Sequence, residues 1–306
     1  MSSSKDVRAI TIACLQFEPR IGEVEANLDA LDRLARAAAA QGAELIVAPE
    51  LADSGYVFAD RAELSRLAAP IPSGAPSRRL EGLARELGVH IVSGLAEARA
   101  GRFHNSAALF GPDGFIGAYR KLHLWDGETT VFDRSPPEAP VFDTALGRIA
   151  LAVCYDGWFP ELFRRYALAG AQVVAVPTNW VPMPGQPEDA SAMANILHQA
   201  AAHSNGLIIA CADRVGVERG QPFIGRSVIV DATGFLLAGP ASADAEEILL
   251  ARATPGAAAA TRQVTPRNNV LSDRREDAYG PGFGPTDPDA APNADDKTSQ
   301  TAGEVT

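Results

Sequence analysis

The chain has 306 residues, with 27 Lys and Arg against 38 Asp and Glu, and a formal net charge of −11. So acidic a protein is repelled by a nucleic-acid backbone and by an anionic membrane surface, so neither is expected as its main partner. Hydrophobic residues at 46% and charged ones at 21% are ordinary for a globular protein, and this length buries a full core as one large domain or two smaller ones.

In chain order, an apolar, β-rich run over 10–17 ends at Glu18-Pro19. Residues 27–41 then carry Leu28, Leu31, Leu34, Ala35 and Ala38 at helical spacing. A short strand over 44–48 ends at Pro49-Glu50, and the unit repeats as a helix over 76–87 and a strand over 89–94. Two strands follow between 105 and 119, turned at Gly111-Pro-Asp-Gly114. After a loop over 120–140 come a strand (148–153), a helix from Pro160, a strand (172–176), a helix (190–203) and a strand (207–211). A strand pair over 223–237 turns at Asp231-Ala-Thr-Gly234, and 246–251 reads as the last strand. Helix–strand alternation with interspersed hairpins predicts a layered α/β fold with mixed sheets. Residues 1–279 read as one domain; 280–306, rich in Pro, Asp, Gly, Ala and Thr, read as a disordered acidic tail.

No apolar run approaches the ~18–20 residues that cross a bilayer, and the polar start Met1-Ser-Ser-Ser-Lys-Asp6 lacks the pattern of a secretory leader. Cys14, Cys154 and Cys211 are odd in number and widely spaced, so no disulfide framework is implied and a cytoplasmic location is expected.

Cys14 and Cys211 sit in or at the end of apolar strands and read as core residues. Cys154 differs. An apolar strand leads into Cys154-Tyr-Asp-Gly-Trp-Phe-Pro-Glu161, and Pro160 and Glu161 suit a first helical turn. A thiol there faces backbone N–H groups that stabilise a thiolate and later an oxyanion. A free thiol is only about 3% ionised at pH 7 and needs a base or a cation nearby. Of His90, His104, His123, His198 and His203, none stands at a strand end with an evident orienting acid. Glu50 directly follows a strand and is the better base, at the edge where α/β sites assemble. Lys121 also follows a strand, its apolar neighbours favour burial, and a buried ammonium requires a carboxylate partner, with Glu128 seven residues on. Walker, dinucleotide, G-x-S-x-G, H-E-x-x-H and C-x-x-C motifs are absent, so metal and nucleotide sites are unsupported.

Three stretches, Val47-Ala-Pro-Glu50-Leu, Tyr119-Arg-Lys121-Leu-His-Leu and Ala152-Val-Cys154-Tyr-Asp-Gly-Trp-Phe-Pro-Glu161, together resemble the nitrilase superfamily of carbon–nitrogen hydrolases. The resemblance continues through Pro177-Thr-Asn-Trp180, 199–206 and 225–234, and so covers about 8–279. It implies a four-layer α-β-β-α sandwich, a homodimer or higher homo-oligomer formed through helices on one face, and no cofactor. By position it makes Cys154 the nucleophile, Glu50 the general base, and Lys121 with the Tyr155 backbone N–H the oxyanion holder. Glu128 would position substrate and keep Lys121 charged.

The substrate is read less directly. Cys154-Tyr155-Asp156 resembles amidases and carbamoylases more than nitrilases, in which Trp-Glu often follows the cysteine. A small amide is therefore expected, with a nitrile or an N-carbamoyl amine as alternatives. A silent ligand-binding protein is the rival from another class, opposed by the intact Glu–Lys–Cys set. Tyr56, Trp125, Tyr155, Trp158, Asn179 and Trp180 are expected to line the pocket, with the proline-rich stretch 181–187 as a wall or lid. Glu188-Asp189, if turned inward, would favour an amine-bearing substrate.

Overall fold

The computed structural model describes residues 8–187 and 191–279. Two six-stranded sheets lie face to face. The first has the order β14-β1-β2-β3-β4-β5, from β1 (Ile10–Gln16), β2 (Leu45–Val47), β3 (His90–Arg99), β4 (Arg102–Gly111), β5 (Gly114–Arg120) and β14 (Glu247–Ala253). The second has the order β13-β12-β9-β8-β7-β6, from β6 (Val141–Thr144), β7 (Gly147–Leu151), β8 (Val173–Pro177), β9 (Ile208–Ala212), β12 (Val228–Val230) and β13 (Leu236–Ala238). A two-stranded hairpin of β10 (Val217–Glu218) and β11 (Gln221–Pro222) stands apart.

The central strands are parallel: β1 with β2, β2 with β3, β7 with β8, and β8 with β9. Strands covered on both faces read as continuous apolar runs, and Val173–Pro177 and Ile208–Ala212 are buried throughout. Ile12, Val47 and Leu109 of the first sheet meet Ile149, Val174 and Ile209 of the second in one core. Helices α1 (Val24–Ala40) and α3 (Ala75–Leu87) cover the outer face of the first sheet. Leu28, Leu31, Leu34, Ala35 and Ala38 of α1 point inward, as their spacing requires. Helices α5 (Pro160–Leu168) and α6 (Met193–Asn205) cover the second sheet through Phe163, Tyr166 and Ala202. The four layers are α-β-β-α, as the resemblance implies.

Several elements differ from the sequence reading. A helix α2 (Arg61–Leu67) follows an N-cap in which Asp60 accepts from the Glu63 backbone N–H at 2.7 Å. The loop over 120–140 contains a single helical turn, α4 (Glu128–Val131), and β6 adds an edge strand after it. Strand β3 runs to Arg99 rather than ending at Gly94, and α6 begins at Met193 rather than at 190. The tail over 280–306 and Glu188-Asp189 lie outside the described residues. Among the described residues, no helix is long and apolar enough to cross a membrane.

Candidate active site

Three chain segments deliver ionisable groups to one end of the sandwich. Glu50 lies three residues beyond β2, and Pro49 O accepts from the Gly94 backbone N–H of β3 at 3.0 Å. Gly94 is needed there, because a Cβ at that position would lie 2.4 Å from Glu50 Cα. Lys121 directly follows β5, and its backbone N–H donates to Asn105 O at 2.9 Å. Glu128 opens α4, where its Oε2 accepts from the Trp125 backbone N–H at 3.0 Å.

These side chains converge. Lys121 Nζ donates to Glu50 Oε1 and to Glu128 Oε1, each at 2.6 Å, and all three groups are buried. Asn105 Nδ2 donates to Glu50 Oε1 at 2.6 Å, and Tyr56 Oη donates to Glu128 Oε1 at 2.7 Å. An ammonium has three N–H donors, so one remains beyond the two carboxylates. Burial alone would lower the Lys121 pKa, but Glu128 and Glu50 outweigh it and hold the ammonium charged well above the usual range. Burial pushes Glu50 up to about 7, with Glu128 adding to the rise and Lys121 opposing it.

Cys154 opens a 3-10 turn, Cys154–Trp158, between β7 and α5. Its φ of +45° is a left-handed conformation that is uncommon for a side-chain-bearing residue and sharpens the turn. Tyr155 is the second residue of that turn, where a backbone N–H has no acceptor within the turn itself. Burial, and next the Glu50 carboxylate, push the thiol up; Lys121 and the Asn179 backbone N–H pull the other way. Burial thus favours the protonated thiol, and a base beside it eases ionisation.

Asp156 anchors the turn. Its carboxylate accepts from Val153 N at 2.9 Å, Tyr119 Oη at 2.7 Å, His123 N at 3.2 Å and His123 Nδ1 at 2.7 Å. The turn that carries Cys154 is thereby tied to the segment that carries Lys121. His123 does have an acidic partner, which corrects the sequence reading; the two are 33 residues apart, so no local pattern announces the pair. Beneath the turn, Gly157 lies against the buried His198 ring so closely that a Cβ would sit 2.3 Å from His198 Cε1.

A narrow depression with a free volume of about 20 Å³ opens beside Cys154, room for about one water. Trp125, Tyr155, Trp158, Asn179 and Trp180 line it, together with Val181 and Met183 of the following loop. Trp125 and Tyr155 meet edge to face at 4.8 Å. Tyr56 stands apart from those lining residues, with its hydroxyl on Glu128 and its ring 5.8 Å from that of Phe223. Glu218 fixes the backbone here, accepting from Tyr56 N at 2.8 Å and Val57 N at 2.6 Å. A larger depression of about 440 Å³ beside His90 and Asp113 contains none of these groups. No group of three His, Cys, Asp or Glu among the described residues is arranged to hold a metal ion.

Sequence reasoning brings Glu50, Lys121, Glu128 and Cys154 to attention, passes over Asn105, sets His198 aside as a base, and uses Asp156 only in reading the substrate. Asn105 leaves one trace, the polar run His104-Asn105-Ser106 inside an otherwise apolar strand.

Fold and site together define a hydrolase of carbon–nitrogen bonds with a cysteine in its active centre. The carbon-nitrogen hydrolase family model matches residues 11–263, and the chain belongs to that family, within the nitrilase superfamily. It is 38% identical over 270 residues to a nitrilase of Pyrococcus abyssi, covering 88% of this chain and 99% of that protein. It is 34% identical over 262 residues to an N-carbamoylputrescine amidase of Solanum lycopersicum, covering 79% of this chain and 85% of the relative. The solved amidase of a Nesterenkonia species superposes with a TM-score of 0.72 at 29% identity, over 87% of this chain and 93% of that one. A mutant of that amidase is described as showing Michael addition of acrylamide at the active site cysteine.

Proposed function

We propose that the protein hydrolyses a small, uncharged carboxamide to the carboxylic acid and ammonia through a thioester on Cys154. The observation that carries this reading is the sealed Glu50–Lys121–Glu128 cluster beside a thiol held on a sharp turn. Glu50, with a pKa near neutrality, takes the thiol proton, and the sulfur adds to the amide carbon. The oxyanion that forms accepts the remaining Lys121 N–H and the Tyr155 backbone N–H. Glu50 returns its proton to the departing nitrogen, so ammonia leaves and the thioester remains. Water then gives a proton to Glu50 and adds to the thioester, and collapse releases the acid and restores the thiol. Glu128 and Tyr56 keep Lys121 charged and aimed; neither needs to exchange a proton.

The acyl group faces tryptophan and tyrosine rings, and no ionised side chain is among the lining residues. This supports an uncharged substrate, short enough to fit or to displace the half-exposed Val181 and Met183. Nitrile hydrolysis by the same residues is the second reading, supported by the nitrilase name of the Pyrococcus abyssi relative. N-carbamoyl amine hydrolysis is the third; no arginine or carboxylate among the lining residues offers to hold a charged tail. Exposed Met193 and Ile196 on α6 support a homo-oligomer formed through the outer helices, and three free cysteines support a cytoplasmic location. The test is ammonia release from matched amide, nitrile and carbamoyl panels. Release that is lost in Cys154→Ala and fastest with amides is expected; faster turnover of nitriles would move the protein to the second reading.

A further inference from the structure

Three buried oxygens around Glu50 have no hydrogen-bond partner among the described residues, Glu50 Oε2, Asn105 Oδ1 and Asn179 Oδ1, and of these residues only Asn179 lines the depression with Cys154. The Asn179 side chain can be oriented without ambiguity. One of its terminal atoms contacts Glu50 O at 3.0 Å, and only the amide nitrogen can donate to a carbonyl. The other terminal atom is therefore the acceptor, on a residue only 2% exposed that lines the depression with Cys154. Its flanks are fixed as well, since Asp213 Oδ1 accepts from Thr178 Oγ1 at 2.9 Å and from Trp180 N at 2.8 Å. Glu50 Oε2 has a use in the proposed reaction, because a carboxylate can exchange a proton. A carboxamide oxygen cannot do so at neutral pH, so the chemistry open to Asn179 Oδ1 is to accept a hydrogen bond, and the N–H groups of a carboxamide are the donors that the proposed substrate brings.

We propose that Asn179 is a specificity residue whose Oδ1 accepts an N–H of the substrate carboxamide, so that the site selects amides over nitriles of the same acyl group. This rests on the amide-hydrolase reading and deepens it. The aromatic walls treat the acyl group of an amide and of its matched nitrile alike, so discrimination falls to the polar atoms. A nitrile has no N–H and leaves Oδ1 buried and unpaired, the situation in which a polar site rejects an analogue most strongly.

The experiment compares kcat/KM for isobutyramide and isobutyronitrile in the parent protein, Asn179→Leu and the smaller Asn179→Ser. Losing the Nδ2 bond to Glu50 O acts through Glu50 and slows both substrates alike, whereas losing Oδ1 slows the amide alone. The amide-to-nitrile ratio is expected to fall about 10- to 100-fold in both variants. A second arm needs no turnover: calorimetric affinities of the same two compounds for Cys154→Ala, with and without Asn179→Leu. Tighter binding of the amide is expected with Asn179 present and lost without it. A preference that survives the substitutions, or that is absent while Asn179 is present, overturns the proposal. Failure of the amide-hydrolase reading is a separate result, seen as turnover that persists in Cys154→Ala.

Discussion

At the scale of residues, the position of the nucleophile depends on contacts that leave little slack. Gly157 is three residues from Cys154 on a turn that Asp156 fixes from the other side, and its Cα packs on the His198 ring. That ring is fully buried between Trp180 and Phe163 and donates through Nδ1 to Ala194 O at 2.8 Å. Burial pushes His198 down to about 4, so it is neutral at physiological pH and serves as a packing surface. Gly157→Ala is expected to lower kcat by on the order of 100-fold, because a methyl group 2.3 Å from His198 Cε1 must displace either the turn or the ring. Adding His198→Ala should restore part of that activity by making room, at a stability cost of about 2–4 kcal/mol for the cavity. Steady-state kinetics of the single and double variants measure this, and a double variant no more active than Gly157→Ala would mean that the contact does not set the turn.

At the scale of elements, legibility followed locality. Glu50, Lys121 and Cys154 each stand within three residues of a strand end, so the apolar run before them announces their place at the sheet edge. Asn105 is legible only as part of the polar run His104-Asn105-Ser106, because its partner Glu50 is 55 residues away and no local pattern points to it. The Asp156 network was missed for the same reason, as it joins residues 33 and 37 apart. Helix α2 did carry a readable signal, Asp60 three residues before Glu63, but in a segment too short for periodicity to register. Gly94 misled in an instructive way. It reads as the end of a strand, yet β3 continues through it, and the missing side chain is what lets Glu50 approach.

At the scale of the whole molecule, the fold buries ionisable groups and thereby shifts their titration toward the neutral forms. Burial raises Glu50 and Asp53 to about 7 and Asp213 well above its usual range, so the native state holds protons there that the unfolded chain has released. Stability from these groups is present at low pH and lost as pH rises through the folded values. Burial lowers His90, His104 and His198, which act in the opposite sense and stop contributing to the slope once pH passes the unfolded value of 6.5. Below that pH the two sets oppose each other; above it the carboxylates act alone. The melting temperature is therefore expected to fall between pH 6.5 and about 8. Asp53→Asn should flatten that fall, since its buried carboxyl need no longer ionise while the 3.2 Å bond from the Ala96 N–H can be kept. Thermal melts of both proteins across this range are the check, and a parent whose melting temperature rises toward pH 8 would show that these carboxyl groups are not strained.

Convergence of Glu50, Lys121 and Glu128 on a buried thiol matters only if that sulfur carries the acyl group during turnover. The direct measurement is the intact mass of the protein acid-quenched during hydrolysis of a slow carboxamide, followed by peptide mapping. An added acyl mass on the peptide that contains Cys154, removed by hydroxylamine and absent from Cys154→Ala, is the expected result. Turnover with no adduct on that peptide, continuing in Cys154→Ala, would contradict covalent catalysis at this site.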